Sequence, residues 1–153
     1  MVAAMNVVFL GATKGMGRAL ARLMAERGDR LFLLGRSEDD LRATVADLEL
    51  RGAGNVSYAL CDLETPESFP PALDAATAFL GTLESVVVTA GMFATQDELE
   101  ADPSLAERLT RINFTNTVVF CEHAQQRLLA EGGGTRCVFG AVARGRRRKQ
   151  VAS

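Results

Sequence analysis

The stretch FLGATKGMGRAL, residues 9–20, constrains the fold more than any other. An apolar run ends at Leu10, glycines follow at positions 11, 15 and 17, and a helical pattern begins at once. A chain passes this tightly from strand to helix where positions lack a Cβ. Two readings of the glycines compete. In one they serve shape alone. In the other the backbone comes close to a phosphate, held by the unpaired amides and partial positive charge of the helix N-terminus. The strand before the turn and the helix after it favour the phosphate.

Strand and helix signals then alternate. Asn6–Leu10 is β-rich, and Gly15–Arg27 places Met16, Leu20 and Leu23 on one helical face before Gly28 stops it. Residues 30–34 form the next apolar run. Residues 37–50 read as a helix capped by Ser37, with Leu41, Val45 and Leu48 as its buried stripe. Residues 55–60 give a third strand, and 65–80 a helix loosened at its start by Pro70 and Pro71. Residues 85–89 give a fourth strand. Residues 103–131 read as one long helix, with Asp102 as cap and Pro103 in first position, and 136–139 as a fifth strand. This order predicts an α/β fold, a doubly wound parallel sheet of about five strands with helices on both faces. Ligand is expected at the C-terminal strand ends, near the switch in strand order.

Composition narrows the chemistry. With 48% apolar and 24% charged residues, 153 residues make one globular domain. No apolar run reaches the roughly 18–20 residues of a membrane helix, and the N-terminus lacks the pattern of a signal peptide. Three cysteines, Cys61, Cys121 and Cys137, fit reduced thiols and a cytoplasmic location better than a disulfide frame. His123 is the only histidine, so no metal site is expected. Five basic residues cluster in RGRRRK at 144–149, leaving an acidic body over residues 1–143 and a basic tail over 144–153. Without interleaved aromatics or a DNA-reading helix, that tail reads as a solvated loop, not a nucleic-acid contact.

The turn Gly11-x-x-x-Gly15-x-Gly17 resembles that of the short-chain dehydrogenase/reductase family, with Leu10 where the family has threonine. LGRS at 34–37, CDLE at 61–64, TAG at 89–91 (Thr89 in place of asparagine) and RINFTN at 111–116 fall in register with family motifs across residues 5–143. The resemblance implies a Rossmann-like domain and a dinucleotide partner. It implies cofactor binding by Gly11, Thr13, Lys14, Gly15, Met16 and Gly17 at the turn. Arg36 and Ser37 would follow strand two, Asp62 and Leu63 strand three, and Ala90 and Gly91 strand four. Asn113 takes the position of the family's active-site asparagine, which holds a water leading to the catalytic lysine.

The residues have readings of their own. Gly35 stands where an acid would bind a ribose 2′-hydroxyl, and the Arg36 guanidinium suits a 2′-phosphate, so NADP(H) is favoured over NAD(H). Lys14 is either a second phosphate ligand or a surface cation. Asp62 either accepts from the adenine amine or caps the helix that begins near Thr65. Asn113 lies in a largely apolar helix and, as a buried amide, is a structural bridge or part of a site. Asn116 and His123 are given no chemical role.

The family's reaction resembles proton transfer by a serine–tyrosine–lysine set. Here Ala141 matches the serine, the only tyrosine is Tyr58 in strand three, and Lys149 follows no tyrosine. The expectation is therefore the N-terminal, cofactor-binding part of a carbonyl–alcohol oxidoreductase, catalytically incomplete and truncated as this chain. Its sheet would end at strand five with an unpaired edge, and the chain would self-associate as a homo-oligomer. The alternative is a non-catalytic NADP(H)-binding or scaffold protein.

Overall fold

The run Asn6–Leu10 forms β1, buried along nearly its whole length, as a central parallel strand covered on both faces must be. A computed structural model describes residues 3–140. It sets β1 beside β2 (Arg30–Gly35) and β4 (Ser85–Val88), with β3 (Ser57–Leu60) and β5 (Thr135–Val138) outside them. All pairings are parallel, in the order β3-β2-β1-β4-β5. Strand alternation splits the core in two. Val8, Leu10, Phe32, Leu34, Val86 and Val88 face α3 (Phe69–Leu80) and α6 (Thr117–Ala130). Phe69 and Phe120 meet there edge to face, 5.4 Å between ring centroids. Val7, Phe9, Leu31, Leu33 and Val87 face α1 (Gly15–Arg27) and α2 (Glu38–Leu50).

The fold class is the one expected, but α1 presents a different face. Gly17, Ala21 and Ala25 are its buried residues, whereas Met16 and Leu23 are 74% and 63% exposed. The helix lies so close to the sheet that only small side chains fit beneath it. On α2, Ser37 is the cap, its hydroxyl accepting from the Asp40 amide, and Thr44 joins Leu41 and Leu48 in the buried stripe. A short 3-10 turn, Pro66–Ser68, precedes α3, and Pro70 and Pro71 fall in its first turn, where missing amide donors cost nothing.

The helix expected over residues 103–131 runs unbroken from Ser104 to Ala130, in three consecutive segments. These are α5 (Ser104–Thr110), a π turn over Arg111–Asn116, and α6. The Thr117 hydroxyl donates to the Ile112 carbonyl five residues back, at 2.9 Å, filling the widened turn. Asp102 accepts from the Ser104 amide at 3.1 Å, so the expected cap is present. Before it lies α4 (Gln96–Ala101), in a stretch given no element above. Thr95 and Glu98 cap one another's backbone in a capping box, a signal that was present in the sequence. Among the described residues β5 is an edge strand, with Val138 and Phe139 exposed there and Val118, Val119 and Leu129 exposed on α6. All three cysteines are free thiols. Ala141, Lys149 and the basic stretch 144–149 lie outside the described residues.

Candidate functional site

The C-terminal ends of β1, β2, β3 and β4 converge on an open groove of about 750 Å³, where the strand order runs to β2 on one side of β1 and to β4 on the other. That is the switch point at which a doubly wound sheet binds ligand. The glycine turn forms its floor. Gly11 and Gly15 have φ of +109° and +54°, which side-chain-bearing residues rarely adopt. A Cβ on Gly17 would collide with the Gly11 carbonyl oxygen and the Thr89 hydroxyl, whereas one on Gly15 would meet nothing within 4 Å. The Thr89 hydroxyl donates to the Gly11 carbonyl at 3.0 Å and pins the turn to the end of β4. α1 begins with Lys14 extended, no side-chain cap and no acid in its first turn. α2 has its Ser37 cap and carries Glu38, Asp39 and Asp40 in its first turn. Only α1 of these two therefore leaves its N-terminal charge without an acidic side chain of its own.

Gly11, Thr13 and Lys14 line the groove beside the turn, and Ala90 and Gly91 line it from β4. Gly15, Met16 and Gly17 do not form its wall, Gly17 because it lies buried beneath the turn. Lys14 is exposed, 3.6 Å from Asp40, which fits the surface-cation reading as well as the phosphate one.

Arg36 and Ser37 line the far end of the groove, with Asp62, Leu63 and Glu64 opposite. Asp62 accepts from the Glu64 amide at 2.9 Å, closing a local turn without capping a helix, and only this one of its carboxylate oxygens is so used. Two residues unread in the sequence complete this end. Arg108 of α5 grips Glu64 in a two-pronged fork, 2.6 and 2.7 Å, and both line the groove. That fork holds the Glu64 carboxyl below its usual range. Cys61, buried at the root of the loop, has its thiol pushed up to about 11 by burial, so it stays protonated at neutral pH.

Asn113 is exposed, contrary to the expectation of a buried amide. Its side chain bridges the Met92 backbone, accepting from the amide at 2.7 Å and donating to the carbonyl at 2.6 Å. It stands beside the groove behind Gly91, where a Cβ would sit 3.0 Å from the Asn113 oxygen. The buried amide is Asn116, which donates to the carbonyl of Leu63. The π turn thus ties the two loops that form opposite walls of the groove, one through each asparagine. Tyr58 of β3 does not line it; its hydroxyl accepts from Arg42 and donates to Glu38, both of α2. Among the described residues no cluster of three or more His, Cys, Asp or Glu side chains could hold a metal ion, and no helix is long and apolar enough to cross a membrane.

Comparison with known proteins agrees with this geometry. The family model described as short chain dehydrogenase matches residues 5–151. The chain is similar to (-)-isopiperitenol/(-)-carveol dehydrogenase, mitochondrial, of Mentha piperita, 27% identical over 139 residues, which are 88% of this chain and 52% of that one. A short-chain type dehydrogenase/reductase from Mycobacterium ulcerans superposes with a TM-score of 0.83 at 26% identity, over 93% of this chain and 54% of that one. An actinorhodin polyketide ketoreductase variant solved with NADPH shares the fold, with a TM-score of 0.79 at 22% identity over 90% of this chain and 54% of that one. The chain spans about half the length of these relatives.

Proposed function

The chain belongs to the short-chain dehydrogenase/reductase family, and we propose that it forms the part of such an oxidoreductase that holds NADP(H). The observation that carries the choice of NADP(H) is Arg36. It stands at the rim of the groove directly after β2, preceded by Gly35 where an acid would be needed for a ribose hydroxyl, and it forms no ion pair among the described residues. An exposed guanidinium there suits a 2′-phosphate.

The donor set fits such a group. The glycine turn and the uncapped start of α1 suit the pyrophosphate. The remaining Asp62 oxygen can accept from an adenine amine, and Ala90 and Gly91 leave the wall low for a ribose. When bound, the cofactor supplies the hydride. The residues of this chain bind and orient it: Thr89 fixes the floor through Gly11, Asn116 fixes the Asp62–Leu63 loop, and Asn113 fixes the Met92 backbone. Reduction of a carbonyl also requires a proton donor. We assign none within this chain, because Tyr58 is engaged elsewhere and Ala141 takes the serine position. Carbonyl–alcohol interconversion is accordingly proposed for the family enzyme as a whole, not for these 153 residues alone. The exposed Val118, Val119 and Leu129 of α6 beside edge strand β5 support self-association.

Calorimetric titration with NADPH and NADH tests the cofactor assignment. A charge-assisted contact made by an exposed arginine is worth about tenfold in affinity, so NADPH should bind about ten times more tightly than NADH. Arg36→Ala should abolish that difference. Equal affinities that the substitution leaves unchanged would end the NADP(H) assignment.

A further inference from the structure

Arg36 has a carboxylate for a neighbour and is not paired with it. Gly35 lies in register with Leu60, and the Cys61 amide donates to the Gly35 carbonyl at 2.8 Å, so the chain leaves β2 and β3 side by side. Adjacent strands lie about 4.8 Å apart, which brings Arg36 to the root of the Asp62–Glu64 loop. Glu64 and Arg36 line the same end of the groove. Arg36 is among the cations whose charge helps keep Glu64 ionised, after Arg108. Yet both oxygens of Glu64 are taken by Arg108, which reaches across from α5, 44 residues further along the chain.

We propose that Arg108 is a specificity-determining positioning residue. By occupying both Glu64 oxygens it keeps that carboxylate off Arg36, leaving the Arg36 guanidinium free for an anion, which in the reading above is the cofactor 2′-phosphate. Arg36 and Arg108 share the end of the groove with Glu64 and Asp62; among the described residues only Glu64 of these two carboxylates is in an ion pair, and the planar fork of Arg108 decides which cation it neutralises. Without Arg108 the carboxylate turns to Arg36, the nearest remaining cation on the groove wall. The groove then offers the phosphate a neutralised pair in place of a cation.

This rests on the NADP(H) reading for its ligand, but the contest between Arg36 and Arg108 for Glu64 is testable without one. The full chain, Arg108→Ala, Glu64→Gln and the double variant would be titrated calorimetrically with NADPH and NADH. Arg108→Ala should weaken NADPH about tenfold and NADH less than about twofold. Adding Glu64→Gln should restore NADPH to within about twofold of the unaltered chain, because the competing charge is gone. Arg108→Lys, a point charge that cannot fork, should fall between. In parallel, labelling of Arg36 by phenylglyoxal without any nucleotide, followed by mass spectrometry, should slow in Arg108→Ala and recover in the double variant. Equal weakening of both cofactors, failure of the double variant to recover, or Arg36 labelling indifferent to Arg108 would overturn the proposal. If the unaltered chain binds both cofactors equally while labelling follows the stated pattern, the 2′-phosphate reading falls and the contest for Glu64 stands.

Discussion

Gly17→Ala tests whether the closeness of α1 to the sheet builds the groove floor. In an open helix the substitution would stabilise by about 1 kcal/mol, since glycine loses more backbone entropy on folding. Here the new methyl group meets the carbonyl oxygen of Gly11 and the hydroxyl of Thr89, and neither can move freely. Thr89 is itself hydrogen-bonded to that carbonyl, and Thr89 and Ala90 donate their backbone amides to the end of β1. Forcing a methyl into a filled contact costs about 1–3 kcal/mol, and losing the Thr89–Gly11 hydrogen bond costs about 1 kcal/mol more. Setting the helix gain against these leaves a net loss of about 1–3 kcal/mol. For a chain of this length each kcal/mol moves Tm by about 2–4 °C, so thermal unfolding followed by circular dichroism should show a drop of about 2–12 °C. Dinucleotide affinity should fall with it, because the turn is displaced. Adding Thr89→Ala should recover part of the loss and not all, since the backbone oxygen remains. A Gly17→Ala chain as stable as the unaltered one would refute the argument that small residues on α1 are required by contact and not by chance.

Asn116→Ala should destabilise by about 1–3 kcal/mol, because the Leu63 carbonyl loses its buried donor, and the denaturant midpoint should fall at constant slope. Asn113→Ala, removing an exposed bridge, should cost less. On the proposed reading, in which no side chain of this chain is assigned as proton donor, purified chain with NADPH and a panel of ketones and aldehydes should show no substrate-dependent loss of nicotinamide absorbance, because general-acid help is worth about 10²–10⁴-fold. Turnover that Gly11→Asp abolishes would contradict this. Asp47, held down by Arg22, Glu64 by Arg108, and Glu38 by Tyr58 and Arg42 all have lowered carboxyl pKa values. Their contribution is present above the ordinary carboxyl range and is lost as pH falls through their folded values, so Tm should decline on acidification below about pH 4. Cys61 has the opposite sign. Its thiol ionises in the unfolded chain first, so stability should fall as pH rises from 9.0 towards about 11, and Cys61→Ala should flatten that limb.

Local signals in the sequence were enough to determine the strand–glycine–helix unit, the alternation that makes a parallel sheet, the Ser37 cap and the place of Arg36 after β2. Each is written in a few consecutive residues, through a missing Cβ, an apolar run or a hydroxyl before a helix. The capping box of Thr95 and Glu98 is just as local. What only the tertiary structure decided depends on distance across the chain. Periodicity gives α1 a face of large apolar residues, but closeness to Thr89 and Gly11 requires Gly17, packing on the sheet core takes Ala21 and Ala25, and Met16 and Leu23 turn to solvent. Periodicity reads 103–131 as one helix, and the helix is continuous, but the π turn inside it leaves no mark in the sequence, because it changes hydrogen bonding without changing residue type. That turn leaves Asn113 exposed on the Met92 backbone and buries Asn116 against Leu63, so the buried amide is Asn116 and not Asn113. The Glu64–Arg108 fork joins residues with no sequence relation. Charge in a sequence has no partner until the fold supplies one, and here the fold gives Glu64 to Arg108 and leaves Arg36 without an ion pair among the described residues.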